Sequence, residues 1–72
     1  MPTNPAGSER ARIEFLLARD GLAATRAWVE RTRDIYREAI SSSGYGADPH
    51  YRALLQRSIE EFERWLAEHP GA

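Results

Sequence analysis

The residues of this 72-residue chain with which chemistry could begin are two histidines, His50 and His69, several acids in pairs and one run of serines. Paired carboxylates do acid–base work only where a cleft perturbs their acidity. Helical spacing instead sets Glu60 with Glu61, and Asp34 with Glu38, on solvent faces. The two histidines lie nineteen positions apart, at opposite ends of one predicted helix, and there is no cysteine. That rules out a metal cage of the usual spacings and any thiol chemistry. Ser41, Ser42 and Ser43 offer hydroxyls with no neighbouring His or Lys base to activate them; they read as residues that end a helix by competing for its backbone hydrogen bonds. Gly44-Tyr45-Gly46 frees the backbone around one aromatic ring. No lysine follows it as a phosphate loop requires, and no strand precedes it as a dinucleotide fingerprint requires. It reads as an interhelical turn. The expectation is a protein without catalysis, cofactor or metal.

What must position these residues is helical throughout. Thr25 to Ile40 and Tyr51 to Leu66 are matching amphipathic segments with apolar positions three and four apart. Trp28, Val29, Thr32, Ile35, Tyr36, Ala39 and Ile40 make the apolar face of the first, with Arg26, Arg33 and Arg37 among the charges on the other side. Tyr51, Leu54, Leu55, Ile59, Phe62, Trp65 and Leu66 make the face of the second. Asp48-Pro49 is a strong helix start, an N-cap followed by proline at the first helical position, and His69-Pro70-Gly71 is a stop. A shorter helix from about Glu9 to Arg19, capped by Ser8, places Ile13, Leu16 and Leu17 on one face with Phe15 beside it. Gly21 suits a left-handed C-terminal cap, and Asp20-Gly21 predicts a tight corner, with a continuous helix through Gly21 as the weaker alternative. Arg10 with Glu14 and Glu60 with Arg64 have the spacing of helix-surface pairs.

The expected fold is therefore all-α: an irregular tail at 1–7, one helical domain at 8–69 (helices at about 9–19, 22–41 and 49–68) and a tail at 70–72. The short first helix precedes a long antiparallel hairpin that completes a helical bundle by association. Ends facing across a short loop would bring Ile40 near Tyr51, Tyr36 near Leu55, Thr32 near Ser58 and Val29 near Phe62.

A chain this short builds a core worth roughly 3–5 kcal/mol, and two such stripes exceed what one short helix covers. The surplus apolar surface predicts a homodimer, or docking on another protein, through Trp28, Val29, Ile35, Tyr36, Phe62 and Trp65. All ten basic residues are arginine, a bias expected of a GC-rich, bacterial coding sequence. Eleven acids leave a net charge of −1, which is not the footprint of a nucleic-acid binder. No run of the chain reaches the roughly 20 apolar residues of a membrane span, and MPTNPAGSER has no signal-peptide core. The expected location is cytoplasmic, away from membranes.

One resemblance points elsewhere. FLLARDGLAATRAWVERTRDIYR, residues 15–37, resembles a bacterial helix-turn-helix in its paired Ala23-Ala24 and its closing Tyr36-Arg37. It departs from that family at Ala27-Trp28-Val29-Glu30, where a turn belongs and no breaker stands. The resemblance covers about a third of the chain and implies DNA binding, with Arg26, Arg33 and Arg37 as a basic strip. A DNA-binding or antitoxin-like transcription modulator is thus the alternative to an interaction module.

Overall fold

A computed structural model describes residues 5–42 and 48–71 as three α-helices: α1 (Pro5–Asp20), α2 (Leu22–Ser41) and α3 (Pro49–Glu68). The first begins four residues earlier than Glu9. Proline at a first helical position has no N–H to lose and a φ already suited to the helix, so Pro5 starts α1 and Ser8 lies inside it rather than capping it. The other boundaries follow the local chemistry. Ser42 ends α2, its N–H reaching the carbonyls of Glu38 and Ala39 and its hydroxyl donating to Ala39 O at 3.0 Å. Asp48 caps α3, its carboxylate accepting from the N–H groups of His50 (3.0 Å) and Tyr51 (3.4 Å). The Gly44-Tyr45-Gly46 turn and Ser43 lie outside the described residues.

α1 and α2 are separated by one residue. Gly21 has φ 91° and ψ 172°, which is not the left-handed helical cap expected but the extended, positive-φ region that is essentially glycine's alone. A side chain there would meet no neighbour within 4 Å, so its cost, about 1–3 kcal/mol, is backbone strain only. Asp20 does not cap α2, which has no side-chain cap; its carboxylate is held by Arg19 through two bonds of 3.0 and 2.9 Å. Those bonds keep the Asp20 carboxyl below its ordinary range.

α2 and α3 run antiparallel, and α1 packs on both. Ile13, Val29, Phe62 and Trp65 are at most 1 % exposed and form the centre of the core, with Leu17, Trp28, Tyr36 and Leu66 packed around them. Phe62 is flanked by Trp28, edge-on with centroids 6.1 Å apart, and by Tyr36 at 5.6 Å. That position sets the register. It places Phe62 at the level of Thr32, a turn further along α3 than the expected pairing with Ser58, and Tyr36 meets Phe62 rather than Leu55. Ile40 and Ile59 line one groove near the end of α2, so residues 49 to 54 of α3 run past α2 and are exposed. Tyr51 and Leu54, expected on the buried face, are accordingly 39 % and 43 % exposed.

Thr25, also 1 % exposed, joins the core because its hydroxyl donates to Gly21 O at 2.7 Å. Arg26 was expected on the solvent side. It turns inward, and its Nη1 donates to the carbonyls of Leu66 (3.1 Å) and His69 (2.6 Å). A cation there answers both the orphan carbonyls and the dipole at the end of α3. The Arg26→Ala variant should lose about 1–2 kcal/mol of unfolding free energy, read as a lower thermal midpoint by circular dichroism. Arg26→Lys should recover only part of it, since an ammonium on a flexible stem lacks the planar fork of the guanidinium.

Candidate functional site

The six residues expected at an interface separate into three groups. Val29, Phe62 and Trp65 are 0 % exposed: Ile13 of α1 packs on the stripe they form, in the chain's own core. Trp28 and Tyr36 are half-buried at the edge of that core. Ile35, expected on the buried face, is 57 % exposed. It stands seven residues after Trp28 and four before half-buried Ala39, so these three share one side of α2. α1 reaches as far along α2 as Tyr36, but Ile35, one residue away, points to a different side of the helix.

Beneath Tyr36 lies a polar cluster that sequence spacing did not reveal. The Glu9 side chain is only 12 % exposed. Its Oε2 accepts from Ser58 Oγ at 3.1 Å and from the Tyr36 hydroxyl at 3.5 Å, joining all three helices. Its Oε1 lies 3.6 Å from Arg12 Nη1 but accepts no hydrogen bond. The only signal in the sequence was an acid near the start of a helix, which is ordinary for the dipole. A carboxylate, a phenol and a serine at hydrogen-bond range could in principle pass a proton. Here Glu9 accepts from both hydroxyls, and the arrangement joins the three helices. Arg10 adds a second crossing, lying 3.6 Å from Glu61 and 3.2 Å from Glu68 rather than pairing with Glu14.

The other chemistry-bearing residues are dispersed. His69 follows α3, its ring stacked on Trp65 with centroids 4.4 Å apart. His50 is in the exposed first turn. Among the described residues no three His, Asp or Glu side chains converge as a metal site. Glu61 pairs with Arg64 at 3.1 Å, where Glu60 was the expected partner. In the basic strip, Arg26 pairs with Glu30, Arg33 with Asp34, and Arg37 with Glu63 and Asp34. Each charge is locally offset. No helix among the described residues is long and apolar enough to cross a membrane. No family model, curated protein or solved structure matches this chain.

The remaining surface is marked by large apolar side chains left in water: Phe15 at 61 %, Ile35 at 57 % and Leu22 at 39 %, besides Tyr51 and Leu54. The Arg19 guanidinium lies 5.3 Å from the Phe15 ring centre and shields part of it. Shallow grooves among the described residues flank α2. One of about 450 Å³ runs between Arg37, Ile40, Ile59 and Glu63; one of about 400 Å³ lies against Leu22, Arg26, Ala27 and Gly71.

Burial, and then the charge of Glu9, hold the Tyr36 hydroxyl above its ordinary value of 10.0. The neutral phenol is thus favoured in the folded chain, and the unfolded chain ionises first. The stability this contributes is fully present below about pH 10 and is lost as pH rises through the folded value. Tyr36→Phe should flatten that alkaline decline. Urea unfolding of both proteins between pH 8 and pH 11.5 checks it: converging curves are expected, and parallel curves would contradict the placement of Tyr36.

Proposed function

We propose that the protein is a small helical interaction module that acts by self-association, or as an accessory subunit docked on another protein, in the cytoplasm and without chemistry of its own. The observation that carries this reading is Ile35, a β-branched aliphatic side chain more than half exposed in the C-terminal half of α2. Trp28 and Ala39 extend the same side of α2 into an apolar strip. Singly exposed apolar residues are ordinary on a folded surface, but aligned ones rimmed by charge favour association. The electrostatics support self-association in particular. With a net charge of −1, two copies repel each other little.

The alternative reading, a DNA-binding or antitoxin-like modulator, has less support, because the arginines that would contact phosphate are already paired with acids of the same chain. Phosphate binding by such a strip would have to displace those acids first.

Light scattering over a roughly hundredfold range of protein concentration tests the module reading. An oligomer is expected at the upper end, and Ile35→Asp should weaken it about tenfold or more, a change of about 1.4 kcal/mol. Because Ile35 is exposed, its thermal midpoint should stay within a few degrees of the parent. An oligomer indifferent to Ile35→Asp would remove this strip from the account.

A further inference from the structure

From the hinge at Gly21 we infer that α1 is an exchangeable strap: by straightening at this residue it leaves its own hairpin and covers the Val29, Phe62 and Trp65 stripe of a second copy of the chain. The inference rests on the self-association reading above and gives it a mechanism.

The backbone is already arranged for the change. Helical hydrogen bonds stand on both sides of the corner, from Gly21 N to Leu17 O at 3.0 Å and from Thr25 N to Gly21 O at 3.1 Å. Between them, the N–H groups of Leu22, Ala23 and Ala24 make no bond back to α1, and no side chain caps them. Rotating one residue out of its positive-φ conformation would restore the missing rungs and merge α1 with α2 into a single rod about 55 Å long. The flanking residues, Ala18, Arg19, Leu22, Ala23 and Ala24, suit a helix interior. A rod cannot fold back on itself, so the straight form uncovers its own stripe.

The occupant of that stripe is already on view. α1 places one fully buried side chain, Ile13, against Val29, Phe62 and Trp65, and its polar attachments run from Glu9 to Ser58 and Tyr36 and from Arg10 to Glu61 and Glu68. Every one of these contacts can be remade identically by the α1 of another copy. A reciprocal exchange leaves no stripe exposed and closes as a two-fold dimer. A connection of one residue, with the helical rungs across it left unmade, is the kind of short hinge that invites such exchange.

Gly21→Ala is the direct test, because the added methyl meets no atom and acts only by disfavouring the bend and favouring the helix. Light scattering should show the dimer at a concentration at least about tenfold lower than for the parent. A Gly21→Ala protein that stays monomeric over the range would overturn the proposal. Exchange itself is read from a charge-reversed pair, one copy carrying Arg10→Glu and the other Glu61→Arg with Glu68→Arg. Each opposes its own α1 and complements the other's, so an equimolar mixture, warmed and cooled together, should form the mixed dimer above its statistical share. Absence of that preference, in the Gly21→Ala background or with Gly21 kept, would overturn the inference. The glycine-containing pair decides the matter should the alanine variant fail to fold.

Failure of this inference is distinguishable from failure of the module reading. A monomeric Gly21→Ala protein whose parent still associates through Ile35 ends only the exchange. A Gly21→Ala dimer indifferent to Ile35→Asp keeps the exchange and ends the surface strip.

Discussion

The packing of Ile13 against Val29, Phe62 and Trp65 is the contact on which the rest of the structure depends. α2 and α3 alone make a single-layer hairpin whose central side chains would be wet on one side. Ile13 is the α1 side chain that dries them, and Leu17 extends the cover. The Cα trace is 17 Å deep in its thinnest direction, about the depth of two packed helix layers, so α1 is the layer that covers the hairpin. Where Ile13 packs, at Val29, Phe62 and Trp65, apolar side chains are buried completely. Where it does not, as at Ile35 and at the first turns of α3, side chains of the same kind stand in water.

Polar groups fix where that cover sits. Ser58 and Tyr36 both donate to Glu9, which pins the N-terminal half of α1 across the hairpin, and Arg10 reaches Glu61 and Glu68 from the same helix. The turn at Gly21 fixes the other end, with Thr25 closing onto its carbonyl. Among the described residues two buried polar atoms beneath α1 stay without a hydrogen-bond partner. Glu9 keeps one oxygen without a hydrogen bond, and the Trp65 indole N–H is buried without an acceptor. Each such group lowers the stability of the closed form, which a core of this size can spare only in small measure. α1 is thus held by one deep side chain and several shallow polar contacts.

Much of this was legible in the sequence. Three- and four-residue spacing in α2 and α3, Asp48-Pro49 as a start and Ser42 as a stop gave the helices and their hairpin, and Gly21 announced the corner. The register was not legible, because it depends on Phe62 fitting between Trp28 and Tyr36, a matter of ring shape rather than of periodicity. The buried ends of polar side chains were not legible either. Arg26 and Glu9 lie where a helical wheel reads solvent or dipole, and only a third helix crossing the hairpin, or the end of α3, turns them inward. For the candidate site, spacing identified the aromatic stripe but not which of its members α1 would claim.

The central claim is that α1 is a cover of lower local stability than the hairpin beneath it. Native-state amide hydrogen exchange, followed residue by residue in low denaturant, tests it most directly. The account predicts that amides near Ile13 and Leu17 exchange through an opening at least about 1 kcal/mol easier than the one that frees amides near Ile59 and Phe62. A single opening free energy shared by all three helices would contradict it.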